Sequence, residues 1–167
     1  GGIAGWAHGG ALIKLHESLP VEAALGKLDF IESVQFNCFV GFYFWYRLLN
    51  CGLHLAATGG SDFPFATDLL APWYLSLGSD RTYVQIGRKH PFSYDAYIAG
   101  IRHGKTFATN GPLLMFEVNG HGPGDTINLE ASETKVRVFA RGVCQYPLER
   151  IEIIANGAVQ YIVEGKG

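Results

Sequence analysis

The sequence predicts an α/β fold over residues 1–111, followed by a small antiparallel β subdomain over residues 112–167. Three observations carry this. Short apolar runs alternate with helix-period segments through the first two-thirds of the chain, the mark of βα units and a largely parallel sheet or barrel. Asn110-Gly111-Pro112 is a strong break. Beyond it the period is two and no helical period returns.

The elements follow in order. Residues 3–7 form a strand-like run ending at His8. Pro20 opens a helix through Leu25 that stops at Gly26, with proline in a first-turn position where its missing N–H costs nothing. Residues 30–36 read as a strand, with Ile31, Ser33 and Gln35 on one face and Glu32, Val34 and Phe36 on the other. Residues 39–50 are apolar almost all round and close on Gly52, which predicts a buried helix. Strands are expected at 55–58, 81–86 and 106–109. Between the last two, Ser93 caps a helix with Tyr94, Tyr97, Ile98 and Ile101 on one face, ending at Gly104. In the second part Leu114, Phe116 and Val118 alternate before Asn119-Gly120. Val136, Val138 and Ala140 alternate with charged neighbours, and Ile151 and Ile153 repeat the pattern. Asn156-Gly157 then predicts a tight hairpin.

Composition narrows the function classes. The 167 residues carry 13 Lys+Arg against 15 Asp+Glu, a net charge of -2 with no basic cluster, so a nucleic-acid partner is not expected. Hydrophobic residues are 48% and charged residues 17%, which excludes a disordered tail. The longest apolar stretch, over 39–46, is interrupted by Gly41 and followed by Arg47. It is far short of the ~20 residues a membrane-spanning helix needs, so no membrane partner is expected. Cys38, Cys51 and Cys144 have no paired spacing and predict neither a disulfide framework nor a zinc finger. The opening Gly1-Gly2-Ile3-Ala4-Gly5 reads like the middle of a fold, so a fragment is expected, and the compartment stays open.

In α/β folds the chemistry gathers at the C-terminal ends of parallel strands. His8 ends the first strand, Glu32 lies in the second, and Ser61-Asp62 follows the third in a glycine-rich turn. A His, an Asp and a Glu on neighbouring strand ends suit a divalent metal, which would acidify a bound water. Arg81, at the start of the fourth strand, suits an anionic substrate group, because its guanidinium forks onto carboxylate or phosphate. Each has a plainer reading: a structural histidine, an Asp bonding its own turn, a solvated Glu, an ordinary strand start. His16, His54, His90, His103 and His121 fit no ligand spacing, and Asp68 reads as a solvated loop carboxylate.

Several segments, in order, resemble the carbaryl-hydrolase-type branch of the PHP (polymerase and histidinol phosphatase) metallohydrolases. They are Trp6-Ala7-His8, Trp45-Tyr46-Arg47-Leu48-Leu49-Asn50-Cys51-Gly52, Ala57-Thr58-Gly59-Gly60-Ser61-Asp62, Arg81-Thr82-Tyr83-Val84 and Gly104-Lys105-Thr106-Phe107-Ala108-Thr109-Asn110-Gly111-Pro112-Leu113-Leu114. In the tail, Val118-Asn119-Gly120, Gly124-Asp125 and Ile153-Ile154-Ala155-Asn156-Gly157 resemble the β domain that follows in that group. The resemblance implies a partial, truncated β/α barrel of the PHP type with the antiparallel β subdomain behind it. It also implies a hydrolase acting on phosphoester, ester or amide bonds of a small-molecule substrate. By that likeness His8 and Asp62 match metal-binding positions, Glu32 a supporting carboxylate, and the cofactor is a divalent metal (Mn, Zn or Fe), incompletely held. The family's opening His-x-His pair has no counterpart here, and Pro64 stands where a metal-binding His is common. These departures set a second reading: a catalytically incomplete PHP-like scaffold or binding module. A partial barrel exposes strand edges and apolar surface, so a homo-oligomer is expected.

Overall fold

The computed structural model describes residues 2–9, 18–35, 38–39, 41–63, 76–87, 91–132 and 135–165. His16, Phe36, Pro64, Asp68 and His90 lie outside them.

The first half builds one mostly parallel sheet. Its elements are β1 (Gly5–Trp6), α1 (Leu19–Ala24), β2 (Phe30–Gln35), β3 (Cys38–Phe39), α2 (Phe42–Asn50) and β4 (Ala56–Gly59). β2 pairs in parallel with β1 on one side and β4 on the other, and β3 folds back antiparallel onto its end. A strand flanked on both sides is buried on both faces. Hence Ile31, Ser33, Val34 and Gln35 are all buried, and the expected in–out alternation does not hold at Val34. Leu19 and Ala23 of α1, Ile31 of β2, Leu48 of α2 and Leu55 form the core, with Trp6, Leu28 and Trp45 against it.

α2 corrects the expectation of a helix buried all round. It starts at Phe42, because Phe39 belongs to β3, and it buries only Leu48 fully while Tyr43 is 69% exposed. Its aromatic side chains pack largely on one another: the Phe42 and Tyr46 rings stack at 5.9 Å, and Trp45 and Tyr46 lie 5.5 Å apart. Trp45 Nε1 also donates to the Leu55 carbonyl at 2.8 Å, which ties the helix to the entry of β4.

β5 (Arg81–Val84), α3 (Tyr94–Arg102) and β6 (Thr106–Thr109) follow. Ser93 caps α3, its hydroxyl accepting from the Ala96 N–H at 3.1 Å, and Ile98 and Ile101 bury the inner face while Tyr94 stays exposed. β5 and β6 pair antiparallel although a helix separates them. Thr106 Oγ1 donates to the Ala57 carbonyl, while the Gly59 N–H donates to Thr82 Oγ1, whose partner across the ladder is Ala108. β6 therefore runs beside β4 in the same direction.

The last part comprises β7 (Leu113–Val118), β8 (Val138–Val143), β9 (Arg150–Ala155) and β10 (Ala158–Glu164). β7 pairs antiparallel with β8, and β9 with β10. Asn156 and Gly157 both take positive φ (55° and 76°), as a two-residue hairpin turn requires. Asn119-Gly120 does the same (51° and 81°), but β8 joins β7 only after a long loop. The fold is mixed α/β, a four-stranded sheet with three two-stranded ladders, and no barrel closes among the described residues.

Candidate functional site

β1, β2, β4 and β6 all point their C-terminal ends the same way, and the polar residues singled out in the sequence collect there. The His8 N–H donates to Glu32 Oε2 at 2.8 Å. The backbones crowd closely around Glu32. A Cβ on Gly9 or Gly41 would press into the Glu32 carbonyl oxygen, and one on Gly60 would stand 2.9 Å from Glu32 Oε1. Bare glycine is what lets the chain pass this carboxylate at such range.

Burial pushes the Glu32 carboxyl above its ordinary value. The His8 N–H and the His8 charge pull it back, and the Asp62 and Asp80 charges push it further up. Glu32 thus feels His8, Asp62 and Asp80 together, so the three sequence-predicted residues share one neighbourhood. Asp80 is one that sequence reasoning missed. It is buried at 3% exposure, immediately before β5, where Ser79-Asp80 looks like an ordinary turn.

Gln35 is the second residue missed. Its Oε1 lies 2.8 Å from His8 Nδ1, and the side chain is buried. This contact fixes the orientation of the imidazole ring. A signal was present: Ser33 and Gln35 put polar side chains on the same strand face as Ile31, where a core position calls for an apolar one.

The backbone marks the same two positions. Among the described residues four non-glycine residues have positive φ: His8 (59°), Asp62 (55°), Asn119 and Asn156. The two asparagines make turns before or between strands. The other two are both candidate site residues, and a left-handed residue outside a simple hairpin is a strain that function can explain.

Arg81 sits beside Asp80 at the same end, its carbonyl close to Gly59. Its side chain turns toward the loop after β6, where Nη2 reaches the Gly111 carbonyl at 3.5 Å, a long contact. Its Nε is buried with no hydrogen-bond partner among the described residues. A buried donor left without a partner is destabilising.

The donor set does not complete a metal site. Among the described residues no group of three or more His, Cys, Asp or Glu side chains stands close enough to hold a metal ion. His54, His103 and His121 are exposed and away from this cluster's contacts. No family model, curated protein or solved structure matches the chain.

Proposed function

We propose that this chain is part of a metal-dependent hydrolase of the PHP type, cleaving phosphoester, ester or amide bonds of a small molecule. The observation that supports this most is the His8 N–H bond to the Glu32 carboxylate at the end of the parallel strands, with the Asp62 charge acting on that same carboxylate and both His8 and Asp62 in left-handed backbone. The divalent metal that the resemblance implies is not encaged by these residues as they stand. What the chain supplies by itself is a placed base and a placed cation. Gln35 orients the His8 ring, and the imidazole takes the proton of an attacking water. The water oxygen bonds to phosphorus or carbonyl carbon, and the leaving group departs with its bonding pair. Arg81, partly exposed at the same strand ends, holds the anionic oxygens.

The absence of a three-donor group among the described residues favours the second reading, an incomplete scaffold. One experiment separates them. Mn²⁺ binding by electron paramagnetic resonance is measured on the wild-type chain and Asp62→Ala. Hydrolysis of bis(p-nitrophenyl) phosphate and p-nitrophenyl acetate is followed on the same samples. The hydrolase reading expects Mn²⁺-dependent turnover and binding weakened at least about tenfold by the substitution. Turnover or Mn²⁺ binding that the substitution leaves unchanged overturns the site. No binding and no turnover in either protein leaves the scaffold.

A further inference from the structure

The C-terminal half of α2 and the β part do not close on each other. Between them lies a cavity of about 500 Å³, within the size range of small-molecule sites. It shares no residue with the His8–Glu32 cluster. Trp45 and Tyr46 line the helix side, and Met115, Ile151 and Ile153 line the sheet side. The Asn156-Gly157 turn shuts one end, where a Cβ on Gly157 would stand 3.5 Å from Tyr46 Cβ and 3.7 Å from Asn50 Nδ2.

We propose that this cavity binds a small neutral aromatic molecule, one or two fused rings bearing a single N–H or O–H. The lining chemistry selects each attribute. Two aromatic rings 5.5 Å apart, with Met115 also in the lining, offer ring edges and faces and a polarisable side chain, which favour a planar π-system over an aliphatic of equal size. Arg141 and Glu152 bring opposite charges to the lining, so its formal charge sums to zero and does not call for an ion. The uncharged polar side chains are the Asn50 and Asn156 amides and the Tyr46 hydroxyl, all toward the helix and turn end of the lining, where they can serve one hydrogen-bonding group on the ligand. Burial, aided by the Glu152 charge, pushes the Tyr46 phenol up, so it stays a neutral donor.

Met115 is the chain's single methionine, so one ¹³C-methyl resonance reports on the cavity. The wild-type chain is titrated with indole, and with cyclohexanol as a non-aromatic of similar bulk. Ala140→Phe and Ile153→Trp fill the cavity from two different strands, so one variant's failure to fold leaves the other. The proposal expects a saturable Met115 shift with indole, half-complete at about 1 mM or below. It expects a midpoint at least about tenfold higher in either folded variant, and weaker binding of cyclohexanol. A shift that does not saturate, an unchanged midpoint in the filled variants, or equal binding of cyclohexanol overturns it. So does a Met115 resonance that moves with protein concentration in the absence of indole, which would put a second copy of the chain in this space.

Discussion

Asp62 carries two properties that one substitution confounds and two can separate. Its carboxylate belongs to the candidate site, and its φ of 55° is costly for any side chain that cannot bond its own backbone. Asp62→Ala removes the charge and keeps the strain, whereas Asp62→Gly removes both. Urea denaturation is expected to place the glycine variant about 1 kcal/mol above the alanine variant in stability, while neither restores function. Equal stabilities would mean that the turn is not held left-handed. At this scale the sequence was partly legible. Residue type and strand-end position single out His8, Glu32 and Asp62 before any fold is known. Asp80 and Gln35 are not found that way, because their roles come from partners far along the chain: Gln35 meets a histidine 27 positions away. Arg81 is correctly placed at a strand start, but its unsatisfied Nε is visible only once the loop after β6 is in position.

Elements with local signals are the ones the sequence defines well. α3 has a capping serine, two inward isoleucines and a terminal glycine within a few residues, and its bounds follow from them. α2 misleads for the opposite reason. Its run of aromatic residues imitates a core helix, yet aromatics can satisfy one another at a surface, and they do so here. The antiparallel pairing of β5 with β6 is likewise invisible locally, because a helix between two strands ordinarily signals a parallel crossover. Between α3 and the β part, one small tether is open to test. Asp125 accepts from Lys105 Nζ at 3.2 Å and from the Gly122 N–H at 3.0 Å, and a Cβ on Gly124 would press into the His103 carbonyl. The Lys105 hydrogen bond first, then the Gly122 N–H, hold the Asp125 carboxyl below its ordinary value of 3.8. A carboxylate with a lowered folded value contributes stability above the unfolded value and loses it as pH falls through the folded one. The stability difference between wild type and Asp125→Asn is therefore expected to be present above the ordinary carboxylate value and to shrink as pH falls below it. An exposed pair makes the effect small. A difference that grows toward acid contradicts the tether.

Burial is uneven across the whole molecule. Every described residue that is buried lies between Gly9 and Thr109, around the parallel sheet and the three helices of that part. After Thr109 none is buried, although β7, β8 and β10 are rich in apolar residues: Leu114, Phe116, Phe139, Val159 and Ile162 are all exposed. In β10 every residue is exposed, from Ala158 to Glu164, and among the described residues the strand pairs with β9 alone. Seven residues with one charge, no proline and a single register shift between Val159 and Tyr161 leave an edge with few of the devices that keep strands apart. Two-stranded ladders of this kind are marginal by themselves, and apolar surface of this extent favours association. The chain is accordingly expected to self-associate through the edge of β10, none of whose residues lines the cavity beside α2. Sedimentation velocity should show a species of twice the chain mass or more at micromolar concentration. Placing a lysine at Ile162 should shift the distribution toward monomer, because a charge at a strand edge opposes strand-to-strand pairing. The parallel sheet should be untouched by that change, so far-UV circular dichroism should hold while the sedimentation coefficient falls. A monodisperse monomer in the wild type would place the cover for this surface elsewhere than in a second copy.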